Sequence, residues 1–137
     1  MKKKKGFTKT VAIIALVIIG VGVAGIGVLR NIERNMEELE GLPLLDINLS
    51  GIPDGSYRGE FSRFPVSAEV EVIIEGETIR EIELLNHRHG PGYGAEAILE
   101  RVIEEQSLQV DVISGATYSS IVVLKAVEEA LLNYHQL

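Results

Sequence analysis

No cysteine occurs among the 137 residues. That excludes disulfides, thiolate metal sites and anchoring through a lipidated cysteine, and it suits an exported domain. Charge is missing from residues 11–29, VAIIALVIIGVGVAGIGVL, a run that as a helix rises about 28 Å, the thickness of a bilayer hydrocarbon core. A small-residue cleavage site is missing as well, because the run passes straight into RNIERNMEELE. An uncleaved membrane anchor is therefore expected rather than a signal peptide. Positive charge is scarce beyond it. Five of the 13 lysines and arginines (Lys2, Lys3, Lys4, Lys5 and Lys9) precede the run, so eight face all 20 acidic residues from Arg30 onward, a balance of −12. An ectodomain this acidic excludes nucleic acid as a partner, since nothing in it replaces the counterions around phosphates. Repeats and low-complexity tracts are absent apart from the lysine run.

What is present divides the chain into four parts. Residues 1–10 form a basic tail expected on the cytoplasmic side, which places the single-pass anchor at 11–29 and the remainder outside the cell membrane. Residues 30–54 read as stalk and linker, with two prolines and several turn formers in GLPLLDINLSGIPDG and with Leu44, Leu45, Ile47 and Leu49 available to pack on the domain. Residues 55–137 hold that domain. GVGVAG at 20–25 spells a dinucleotide-binding pattern, but it lies in the apolar span with no strand before it and no polar turn, so small residues of a membrane helix explain it.

Within the domain, SYRGEFSRF alternates as an edge strand. VSAEVEVII alternates strictly, with Val66, Ala68, Val70, Val72 and Ile74 on one face. TIREIELLNH follows a short EGE turn and puts Ile82 and Leu84 on the buried face, which predicts a hairpin. GAEAILERVIEEQS predicts a helix with Ile98, Leu99, Val102 and Ile103 in a stripe. LQVDVI predicts a short strand, and SSIVVLKAVEEALLNYHQL a closing helix. The order β-β-β-α-β-α gives an α+β fold: a small, mostly antiparallel sheet with two helices on one face, preceded by one transmembrane helix.

The densest chemistry is DVISGATYSS, residues 111–120. Ser114, Thr117, Ser119 and Ser120 stand where a helix begins, beside Gly115 and Ala116, which permit a sharp turn. Free N–H groups and the positive end of the helix dipole there suit a phosphate. The same hydroxyls also suit ordinary helix capping, and spacing alone leaves both open.

DVISGATYSS resembles the D-x-x-[ST]-G-A-[ST]-x-[ST]-S signature of the FMN-binding domain family, which includes covalent-FMN subunits of the sodium-pumping NADH:quinone oxidoreductase and of Rnf-type electron-transport complexes. The similarity runs over residues 54–132 and includes DGSYRGE, the VEVIIEGETIREIELL hairpin and AVEEAL, as in compact, membrane-anchored members. It implies that a flavin transferase, using FAD and magnesium, joins FMN to Thr117 through a phosphoester. Asp111, Ser114, Gly115, Ala116, Tyr118, Ser119 and Ser120 would then belong to the cofactor site. NHRHGPGYG, residues 86–94, resembles the family's H-x-E-T-P-G-x-G loop beside the flavin, which adds Gly92 and Tyr93; here His89 replaces the acid and Gly90 the threonine. His87 and His89 lack a third nearby ligand and fit a solvated loop, so no metal site is expected.

The function implied is an extracytoplasmic, membrane-tethered flavoprotein that relays electrons between a donor and an acceptor. No nucleophile–base pair and no nicotinamide site appears, so no catalytic residues and no substrate of its own are expected. A reversible FMN-binding or sensor module, which would lose its colour on acid precipitation, is one rival. A structural accessory subunit, indifferent to Thr117→Ala, is the other.

Overall fold

The computed structural model describes residues 4–88 and 94–136, and side-chain surroundings for 8–88 and 94–134. The chain divides into two compact units, Met1–Arg34 and Asn35–Leu137. The first is helical: α1 (Lys4–Glu40) begins in it, and the stretch Thr8–Glu40 has an 18-residue window of mean hydropathy 2.8 with none of it buried. That helix is long and apolar enough to cross a membrane. The last turn of α1 lies in the second unit, so the expected stalk at 30–54 falls on both sides of the division.

The second unit is built on three antiparallel strands in the order β1 (Gly55–Arg63), β2 (Val66–Glu75), β3 (Thr78–Arg88). β2 is central and its alternation is realised: Val66, Ala68, Val70, Val72 and Ile74 are all buried. Each buried valine contributes about 1.5–3 kcal/mol relative to exposure. β3 departs from strict alternation because the register shifts twice against β2, between Glu69 and Val70 and between Ile73 and Ile74. Arg80 and Leu85 are the extra residues, so Ile79, Ile82, Leu84 and His87 turn inward at spacings of three, two and three.

Two helices cover one face of the sheet. α3 (Thr117–Leu132) lies on β1 and β2, and α2 (Ala97–Glu105) on β3. α3 meets β1 at Gly59, where a Cβ atom would stand 2.1 Å from the Ala126 carbonyl oxygen and 2.3 Å from the Ala130 nitrogen. Only glycine allows that approach. A short 3-10 helix (Asn133–Gln136) ends the fold.

LQVDVI is not a strand. Residues 109–113 form no ladder, although Leu108 is buried and Val110 and Val112 pack against the core. Alternation marked which side chains face inward, but Gln109 N, the Asp111 carbonyl and Ile113 N bond to side chains instead of a neighbouring strand.

The other outer face of α3 is covered by residues 41–50, which run as an irregular strap. Lys125 Nζ donates to the Pro43 carbonyl at 2.7 Å and to Glu128 Oε2 at 2.5 Å, while Leu45 N donates to Glu128 Oε1 at 2.6 Å. Leu44, Ile47 and Leu49 pack on the core; Leu45 is exposed. Leu39 and Ile52 are buried at either end of the strap.

Candidate functional site

The site is assembled from α2, the irregular segment after it and the start of α3. α2 ends at Gln106, which takes the left-handed conformation (φ 52°). Its side-chain amide then acts as a surrogate strand residue. Ile79 N donates to Gln106 Oε1 at 2.7 Å, and Gln106 Nε2 donates to the Ile79 and Ile103 carbonyls at 2.8 and 2.6 Å. The following residues are pinned one by one: Gln109 N donates to Ser107 Oγ, Gln109 Nε2 to the Leu44 carbonyl, and Arg101 Nη1 to the Asp111 carbonyl at 2.7 Å. The chain then turns tightly. Ala116 N donates to the Ile113 carbonyl at 2.9 Å across Ser114 and Gly115, and Gly115 holds φ +80°, which a turn of this kind asks of its third residue.

Thr117 is the first residue of α3 and is half-buried. Among the described residues no side chain caps the helix: the N-cap position is Ala116, at φ −131° and ψ 29°. The first intrahelical bond runs from Ser120 N to the Ala116 carbonyl at 2.8 Å, so the N–H groups of Thr117, Tyr118 and Ser119 precede the hydrogen-bond ladder. An uncapped helix start beside an exposed Ser114–Gly115 step is a place where a phosphate finds donors and a favourable dipole.

The cluster of hydroxyls divides into two kinds. Ser114 is exposed and Thr117 half-buried, with Asp111 exposed on the same segment. The others point elsewhere in function. Ser120 is fully buried and its Oγ accepts from Ile113 N at 3.2 Å, which ties the turn to α3. Tyr118 is buried, and its hydroxyl donates to the Arg63 and Phe64 carbonyls at 3.1 and 3.0 Å, bracing the β1–β2 turn; burial holds its pKa above the usual tyrosine value. Ser119 is 1 % exposed, and its Oγ has no hydrogen-bond partner among the described residues. Ala116 is buried under the turn.

Of the loop at 86–94, Gly92, Tyr93, His89 and Gly90 lie outside the described residues. His87 belongs to β3 rather than to a solvated loop: its side chain is buried, with Nδ1 3.1 Å from Glu96 Oε1 just before α2. The bulge at Leu85 turns it inward, which strict alternation did not anticipate. Sequence reasoning also passed over Arg101 and Gln106. The available signal for Arg101 was that it is the lone basic residue within α2, AILERVIEE.

A small α+β domain that presents a half-buried threonine at the first position of a helix offers a phosphate group backbone donors and the positive end of a dipole. The comparison with known proteins makes that specific: residues 65–132 match the profile of the FMN-binding domain, and that part of the chain belongs to the FMN-binding domain family. Over 65 residues it is 38% identical to a urocanate reductase from Eggerthella lenta, a match that covers 45% of this chain and 11% of that protein. The residues at the turn fit the phosphate end of FMN on the grounds already given: unspent backbone donors, a small-residue approach and an accessible hydroxyl.

Proposed function

We propose that this protein is a membrane-anchored, extracytoplasmic flavoprotein that carries FMN covalently on Thr117 and passes electrons between redox partners. The observation that carries the proposal is the placement of Thr117 as the first residue of α3, uncapped, beside the Gly115 turn in DVISGATYSS.

In the attachment step the Thr117 hydroxyl oxygen forms a bond to the phosphorus of the FMN half of FAD. The bond from that phosphorus to the bridging oxygen breaks, AMP leaves, and the hydroxyl proton is lost. A flavin transferase supplies the magnesium-dependent chemistry. The N–H groups at the start of α3 hold the phosphoester's negative charge, the Gly115 step leaves room for it, and Asp111 serves in recognition by the transferase. Bound FMN supplies the redox chemistry; the protein supplies position and potential.

Other features support the tethered placement. The basic tail of residues 1–10 stays cytoplasmic, the apolar helix spans once, and the acidic domain lies outside, where a covalent bond prevents loss of the cofactor. A membrane or extracytoplasmic donor and acceptor are implied, because a single span offers no route for electrons. The urocanate reductase relative is consistent with a redox setting.

The test is the intact mass of protein purified from its own host, with Thr117→Ala beside it. A gain equal to FMN minus one water, absent from the variant, is the expected result. An unmodified mass in a host that flavinylates other proteins would sink the covalent reading and leave reversible FMN binding or an accessory role.

A further inference from the structure

The segment that delivers the chain to Thr117 pairs with no strand among the described residues; Leu108, Val110, Val112 and Ile113 pack it on the core, and a few side-chain bonds hold its backbone. On the α3 side the turn is closed by Ala116 N to the Ile113 carbonyl and by Ile113 N to Ser120 Oγ. Those bonds fix the turn to the helix it starts. They do not fix it to the rest of the domain. On the other side stands α2, itself held at both ends: Glu96 meets His87 at the end of β3, and Gln106 pairs with the backbone of Ile79. From this braced helix Arg101 Nη1 reaches the Asp111 carbonyl at 2.7 Å, and that carbonyl is the hydrogen-bond partner of Arg101 among the described residues.

We propose that Arg101 is a positioning residue for flavin attachment: by holding the Asp111 carbonyl it sets where the turn presents Thr117 and Asp111 to the transferase. The inference rests on Thr117 being the attachment site. Arg101 is suited to the role because a guanidinium is always charged and offers several donors in a fixed plane. Asp111 is exposed, so without Arg101 its carbonyl bonds to water and the fold is retained. The loss is one of placement. Misplacing a reacting group by an ångström slows a transfer by up to about 100-fold.

The experiment uses the full chain, purified in detergent from a strain without the transferase, then incubated with purified flavin transferase, FAD and magnesium. Intact mass is followed over time, and the melting midpoint is measured beside it. Arg101→Met is expected to slow the gain about tenfold or more while the midpoint holds, and Arg101→Lys, which keeps a charged donor, to restore much of the rate. Equal rates for wild type and Arg101→Met overturn the positioning role and leave Thr117 untouched as the attachment site. A slow rate that follows a fallen midpoint, and recovers at low temperature, also overturns it, since Arg101 would then only support the fold. Failure of the wild type itself to gain mass removes the reading on which the inference stands.

Discussion

Two adjacent serines in the signature, Ser119 and Ser120, are both buried, yet their hydroxyls stand in opposite situations. Ser120 Oγ satisfies the Ile113 N–H, whereas Ser119 Oγ meets no partner among the described residues. A buried donor left unpaired costs about 1–3 kcal/mol, and removal of an unpartnered hydroxyl relieves such a cost. Ser120→Ala is therefore expected to lower stability by about 1–2 kcal/mol, and Ser119→Ala to leave the melting midpoint unchanged or raise it. Thermal unfolding of the two variants side by side decides this, and equal behaviour would contradict the assignment. Tyr118 offers a second test at this scale. Its folded pKa is raised by burial, so the unfolded chain loses the phenolic proton first as pH climbs. The stability it contributes is full below the unfolded value near 10 and is lost as pH rises through the folded value. Tyr118→Phe should cost about 1 kcal/mol at neutral pH, from the lost bonds to the Arg63 and Phe64 carbonyls, and should flatten the decline above pH 10. Denaturant titrations at pH 8 and above pH 10 measure the difference between variant and wild type; parallel declines would refute it.

At the scale of elements, the packing of α3 on β1 depends on backbone meeting backbone. The clash that a Cβ at Gly59 makes is with the Ala126 oxygen and the Ala130 nitrogen, neither of which can swing aside. Gly59→Ala must lift the helix from the sheet and is expected to cost about 3 kcal/mol. At Gly55 the nearest atom to an added Cβ is the Tyr57 hydroxyl at 3.5 Å, so Gly55→Ala should be close to neutral. Urea midpoints of the two variants check the contrast. The sequence made β2, α2 and the signature turn readable because each carries one dominant local signal: alternation, an apolar stripe, and hydroxyls beside glycine. It concealed three things for physical reasons. Bulges at Arg80 and Leu85 break the period of two, so Ile79 and His87 turn inward unannounced. LQVDVI alternates like a strand because Leu108, Val110 and Val112 face the core, while its Asp111 carbonyl and Ile113 N–H are held by the side chains of Arg101 and Ser120. Of the signature hydroxyls, only burial distinguishes Ser119 and Ser120 from Thr117, and burial is a property of the assembled fold.

For the whole molecule, the compact unit Asn35–Leu137 includes a strap that looked like a linker. α3 is buried on almost every side, and among its buried residues are Lys125 and Glu128, a pair with no place on an exposed face. Their purpose in the fold is to receive the strap: Pro43 and Leu45 offer a carbonyl and an N–H that the pair satisfies, while Leu39 and Ile52 are buried at either end of it. Removal of one member of a buried pair costs about 3–5 kcal/mol when the other is left uncompensated in the interior. Glu128→Gln should therefore cost about 3 kcal/mol in a chain that begins at residue 35. A chain that begins at residue 55 should be less stable from the start, because it exposes the apolar surface under the strap. In that shorter chain Lys125 reaches water, and the same substitution should cost less than about 1 kcal/mol. The four chains form a thermodynamic cycle whose interaction energy isolates the strap's hold on the pair. If Glu128→Gln costs the same with and without residues 35–54, the pair serves α3 alone, and the folded domain begins where β1 does.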